Sequence, residues 1–278
     1  MKNNGFTPDG FLTWWTCAER THIEECRSRL EAIKMAGVMP ETRRPIACLR
    51  DAVDEVVGTK HVMVRSLANA NGLQVTAEQK GADQNHYTGQ MVFHLQSDGV
   101  RVQSLNGPLP WSLTQKINEK YEAAYLYYAA ASVGRILRAA ACIRLSGVGV
   151  RPGGGVYWVH GDSLPQWMQV RDAVVRAATR GRTEVFVIEH QLTTEAAKAV
   201  YSGLHQEVEA EIGDILKDLG AAGKRACQSR QDQATLLLEK IEKYEAILSQ
   251  DLESLRNKAE AARASAHTAA LLAVTATS

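Results

Sequence analysis

The chain has few of the features from which an activity is usually read. Its five cysteines, Cys17, Cys26, Cys48, Cys142 and Cys227, form no C-x-x-C pair. An odd, scattered set argues against a disulfide framework and against a thiolate zinc site. Cys142, in an apolar stretch, reads as a small core hydrophobe. H-E-x-x-H is absent, and so is the G-K-[ST] of a phosphate-binding loop. No fixed-period repeat is visible. The most apolar segment, Tyr121 to Ile143, carries Glu122, Arg135 and Arg138. At about 2.5–3.5 kcal/mol per charge near a bilayer centre, it reads as a buried helix and not as a membrane span. Met1 to Gly10 is polar, so no secretory leader is expected. With reduced-looking cysteines, the expected location is cytoplasmic.

What is present is an ordinary globular composition: 278 residues, 45% hydrophobic and 23% charged, with net charge +1. The charge is unevenly placed. Arg135 to Arg182 holds eight arginines, no lysine and two acids, a net +6. Glu184 to Leu219 holds eight acids and two lysines, a net −6. Such blocks serve a partner or pair with each other.

Periodicity predicts α+β organisation. Leu12, Trp15, Ile23, Cys26, Leu30 and Ile33 suggest a helix over 11–36, and a second helix runs from Arg44 to Val57 with Pro45 in its first turn. Strands follow at 61–67 and 73–78 around Asn69-Ala70-Asn71-Gly72, then at 90–96 and 100–105 around Ser97-Asp98-Gly99, an Asp-Gly hairpin signal. Pro108 and Pro110 close this section, and a long central helix spans 113–145. Two short strands flank Pro152 and its glycines, then come a helix from Pro165 to Thr179 and a strand from Thr183 to Glu189. From Thr193 there is no proline and no strand signal. One helix reaches Leu219, and Gly220 and Gly223 break it. A last helix carries Leu237, Ile241, Tyr244, Leu248, Leu252 and Leu255, a heptad seam with one extra four-residue step between Leu248 and Leu252. The expected division is 1–58 N-terminal helices, 59–192 an α+β domain with an antiparallel sheet on the central helix, and 193–278 a helical hairpin or coiled-coil arm. The seam is the expected oligomer contact.

Four features invite chemistry. Gly153-Gly154-Gly155 beside Arg151 would let backbone N–H groups approach a phosphate, but the same residues make a hairpin turn. His160-Gly161-Asp162-Ser163 holds triad residue types; Asp162 or Ser163 serves better as a helix cap. His94, His160 and His190 fall near strand ends, without a spacing that forces metal ligation. No catalytic residue, metal ligand or cofactor is assigned. The fourth feature is the arginine block: Arg135, Arg138, Arg144, Arg151, Arg171, Arg176, Arg180 and Arg182 are candidate contacts to DNA or RNA phosphates, with Trp158 and Trp167 as stacking platforms. The competing reading pairs them with the acidic helix 195–218.

Around Arg151-Pro152-Gly153-Gly154-Gly155-Val156-Tyr157, the chain resembles an uncharacterised group of bacterial and phage-borne proteins that pairs an R-P-x-G-G-V-Y motif with a helical C-terminus. Met39-Pro40 leading into Leu49-Arg50-Asp51-Ala52-Val53 is similar as well, so the likeness covers about 40–220. It implies no activity, only mobile-element or phage-linked biology. The leading expectation is a non-enzymatic binding or assembly protein that self-associates through its C-terminal helices. The alternatives are a nucleic-acid-binding protein, and a nucleotide-binding module or enzyme at the glycine-rich turn.

Overall fold

The computed structural model describes residues 8–58, 62–68, 71–80, 85–96, 99–105, 111–151 and 153–275. The expected turn residues Asn69, Ala70, Ser97 and Asp98, and Pro108, Pro110 and Pro152, lie outside them. The fold is α+β, and every strand pair with a defined register is antiparallel.

The chain opens with β1 (Gly10–Thr16) and β2 (Arg20–His22), followed by α1 (Ile23–Ala32). The helix expected over 11–36 therefore begins at residue 23. Phe-Leu-Thr-Trp-Trp-Thr is aromatic and β-branched, and it fits a pleated surface better than a helix. Its pairing with a strand near residue 159 is invisible to a local period. Next, α2 (Pro45–Val57) carries Pro45 in its first turn, and Gly58 ends it at φ 81°. Then come β3 (Val62–Ser66), β4 (Gly72–Lys80), β5 (Asn85–Gln96) and β6 (Gly99–Ser104).

The expected central helix is divided. It runs as α3 (Trp111–Leu126), breaks into β7 (Tyr127–Tyr128), resumes as α4 (Ala130–Arg138) and loosens into a π-helical turn, Ala139–Arg144. The break exists because Tyr128 and Tyr127 pair with Thr21 and His22 of β2. A long-range ladder here overrides local helix propensity.

The remaining elements are β8 (Val148–Gly149), β9 (Tyr157–His160), α5 (Leu164–Arg176), β10 (Ala178–Arg180), β11 (Glu184–His190), α6 (Thr194–Leu216), α7 (Lys224–Leu248) and α8 (Glu253–Thr275). The expected heptad helix ends at Leu248, where Ser249 turns left-handed at φ 48°. The extra four-residue step in the seam is thus the turn between α7 and α8.

The chain forms two compact units. One comprises residues 16–137 and 170–184. In it the sheet β3-β4-β5-β6 packs one face on α2 and α3. Leu73, Val75, Phe93 and Val100 meet Leu49, Val53, Ile117 and Tyr121 there. A small sheet, β10-β2-β7, belongs to the same unit.

The other unit comprises residues 1–15, 138–169 and 185–278. Its sheet runs β11-β1-β9-β8. One face packs buried Phe11 and half-buried Trp15 against Trp167, and Trp15 stacks on Tyr157. Trp158 and Val148 face α6, α7 and α8, which form a three-helix bundle. Pairs Arg256–Glu245 and His267–Gln231 show that α8 runs back along α7. Alternation of a buried apolar stripe with polar faces builds each helix: Val200, Leu204, Val208, Ile212 and Ile215 on α6, and Leu237, Ile241, Tyr244 and Leu248 on α7. Ala259, Ala262 and Ala266 let α8 approach closely.

Candidate functional site

The bundle unit carries a hollow of about 600 Å³ between the π-helical turn, α6 and α7. Its construction starts with the turn. A π-turn spends an extra residue per turn and leaves its final carbonyls without the usual helical donors. Leu145 N–H donates to Ala140 O at 3.0 Å and Gly147 N–H to Ala141 O at 2.7 Å. Ser146 sits left-handed at φ 55°. A Cβ on Gly147 would come within 2.8 Å of Ala141 O, so the chain can reverse here only with glycine. The carbonyls of Ser146 and Gly147 are met by α7: Tyr244 Oη donates to Ser146 O at 2.8 Å, and Lys240 Nζ to Gly147 O at 2.8 Å.

Lys240 is 8% exposed. Its ammonium also donates to Glu207 Oε1 of α6 at 2.5 Å. A buried ammonium needs such partners, since an unpaired buried charge is costly. Lys240 therefore ties three elements together. Above it, Glu211 and Asp214 continue the row of Glu207 along α6, and Gln233, Leu236, Glu239 and Lys243 line the α7 side. Lost solvation, then the neighbouring Glu207, push the Glu211 carboxyl upward against Lys240 and Arg138. Glu211 is an exposed residue, so solvent screens much of this effect.

Ile143 and Leu236, 70% and 58% exposed, stand at this hollow. Glu211, Asp214, Glu239, Arg144 and Lys243 have no ion-pair partner among the described residues. The hollow thus offers open charge of both signs beside exposed apolar surface. Cys142 lines it too, but burial pushes its thiol up to about 12, which keeps it protonated and poorly nucleophilic. The Lys240–Glu207 pair is engaged in holding helices. The arrangement is suited to holding a ligand; its residues do not form a nucleophile-and-base set.

The sequence-derived candidates are distributed elsewhere. The seam residues Leu237, Ile241, Tyr244, Leu248, Leu252 and Leu255 are all buried within this chain's own bundle. Arg138, Arg144 and Arg151 belong to the bundle unit, and Arg135, Arg171, Arg176, Arg180 and Arg182 to the other. Arg171 pairs with Asp172, Arg180 with Glu19 at 2.9 Å and Arg182 with Glu184 at 3.3 Å. Trp158 and Trp167 are fully buried, which corrects their reading as stacking platforms: both rings fill the core. The acidic helix takes lysines from its own bundle, Lys240 on Glu207 and Lys258 on Glu209, while Arg138 of the basic block bears on Glu211.

The glycine run is the β8–β9 hairpin. Gly153, Gly154 and Gly155 all have positive φ, and Gly154 N–H is already donated to Arg151 O at 2.9 Å. His160 Nδ1 accepts from Asp162 N–H at the start of the 3₁₀ turn before α5. His94 lies in one unit, His160 and His190 in the other. Among the described residues no group of three or more His, Cys, Asp or Glu side chains is placed to hold a metal ion. Nor, among them, is any helix long and apolar enough to cross a membrane.

Sequence reasoning missed the hollow. It had no signal for the π-turn, and it did not single out Lys240. The retrievable clue was a lysine one residue before seam position Ile241, opposite a helix rich in acids.

Fold and site together define an α+β protein with an internally closed three-helix bundle and an open, mixed-charge hollow. The chain belongs to a family of unknown function, DUF6744, whose model matches residues 10–277. No curated protein and no solved structure matches it.

Proposed function

We propose that this protein is a non-enzymatic binding and assembly protein whose hollow between α6 and α7 takes a basic amphipathic segment of a partner protein. The observation that carries the reading is the pairing of exposed Ile143 and Leu236 with Glu211, Asp214 and Glu239, carboxylates that form no ion pair among the described residues, around one cavity. Helix-in-groove recognition uses this combination: apolar anchors for affinity, and rim charge for orientation and on-rate. The resemblance around Arg151–Tyr157 supports a phage- or mobile-element-linked setting for that partner.

The test is fluorescence anisotropy with a labelled peptide of leucines at helical spacing separated by lysines, against the same peptide with glutamates. The lysine peptide binds, the glutamate peptide does not, and Glu211→Lys/Asp214→Lys and Leu236→Ser each weaken binding by at least about tenfold, near 1.4 kcal/mol. Equal binding of both peptides, or affinity untouched by both variants, removes the hollow as the binding surface.

A further inference from the structure

We infer that β11 is a self-association edge, and that two copies of this chain join by antiparallel pairing of their β11 strands. The sheet β11-β1-β9-β8 has two ends, and they are treated differently. At β8 the end is short and closed. Its two residues lie under α6, and a Cβ on Gly203 would stand 2.1 Å from Gly149 O. At β11 the end is seven residues long, Glu-Val-Phe-Val-Ile-Glu-His, and among the described residues no strand pairs beyond it.

Isolated proteins blunt such edges with lysine, proline, a bulge or a covering element, because a free row of N–H and C=O groups invites pairing. β11 has no lysine or proline. It also presents Phe186, 38% exposed, and Ile188, 51% exposed, on one face. Trp14 of β1 stacks on Phe186 at 5.3 Å and 14°, which extends that apolar face inward. A strand added here would find both backbone partners and a surface to cover.

The sequence of β11 favours a copy of itself. With Val187 on the twofold axis, Phe186 of each strand faces Ile188 of the other, a favourable aromatic–β-branched pair. Glu184 then faces His190, and Val185 faces Glu189, so the carboxylates of the two strands stay apart. A one-residue slip sets Glu184 against Glu189 twice and turns the apolar pair to opposite faces. A twofold pairing of this kind is isologous and closes at two chains. It uses a surface apart from the hollow and leaves the buried helical seam intact.

Sedimentation velocity of the full chain over a dilution series tests this, with hydrogen exchange as a second readout. The expected result is a two-chain species that dissociates on dilution, with β11 amides losing protection together with it. Ile188→Lys, at an exposed position, raises the half-dissociation concentration by at least about tenfold. Phe186→Lys/Ile188→Glu, which sets lysine against glutamate across the axis, recovers pairing. Glu211→Lys/Asp214→Lys leaves the dimer unchanged, so failure of the hollow and failure of the edge are separate results. A chain that stays monomeric at high concentration overturns the inference. So does a dimer that survives Ile188→Lys with unprotected β11 amides.

Discussion

Lys240 Nζ and Glu207 Oε1 meet at 2.5 Å between α7 and α6, and the same ammonium holds the carbonyl of Gly147 at the end of the π-helical turn. The two residues are far apart in sequence, and their meeting fixes the floor of the hollow. Lys240→Met strands Glu207 and leaves Gly147 O without its donor. Chemical denaturation is expected to show a loss of about 3 kcal/mol. The double variant Lys240→Met/Glu207→Leu recovers most of that loss, since replacing both partners removes the orphaned charge. A single variant as stable as the parent contradicts the role given to the pair.

Gly203 and Gly213 lie on the same helix and predict opposite outcomes. Gly203→Ala pushes a methyl group to 2.1 Å from Gly149 O, so α6 must lift from β8. The crowding costs about 2–3 kcal/mol against a helix-propensity gain of about 1 kcal/mol, a net loss. Gly213→Ala meets nothing within 4 Å and gains about 1 kcal/mol. Thermal unfolding of the two variants decides between them.

Ser249 turns the chain between α7 and α8 at φ 48°. Glycine adopts this conformation without strain, so Ser249→Gly is expected to stabilise the protein by about 0.5–1 kcal/mol in denaturant titrations. Loss of stability would place the α7–α8 turn elsewhere.

The fold class was legible from patterning alone. β4 and β6 alternate apolar with polar residues, and α2, α6 and α7 show their apolar stripes and stop signals. What stayed hidden depends on partners distant in sequence. β1 was taken for a helix because Leu12 and Trp15 share a helical spacing, whereas its pairing with β9 spans most of the chain. Tyr127 and Tyr128 were read as helix because their strand partner, Thr21–His22, lies more than a hundred residues earlier. The seam was legible as a seam, but an apolar stripe does not say whether its cover is the same chain or another. The α7–α8 turn decides that, and in sequence it appeared only as an irregular step. The hollow was least legible, because it rests on a π-turn and on a lysine buried by tertiary packing.

Burial raises the Cys142 thiol from 9.0 to about 12. In the unfolded chain it ionises first, so this contribution is intact below pH 9 and is lost as pH rises from about 9 to 12. Stability measured across that window should fall less steeply in Cys142→Ala than in the parent. Cys26, raised to about 11 by burial, has the same sign and remains in both proteins. Identical slopes would contradict a buried, protonated Cys142.

α6, α7 and α8 close on one another within one chain, which fills the seam and creates the hollow. Zero-length carbodiimide coupling tests it through the native pairs Glu209–Lys258 and Glu207–Lys240. Equal amounts of ¹⁴N and ¹⁵N chain are unfolded, refolded together, coupled, digested and weighed by mass spectrometry. The expected cross-linked peptides are wholly light or wholly heavy. Mixed light–heavy peptides at those pairs would show that the helices pair between chains, and would contradict it.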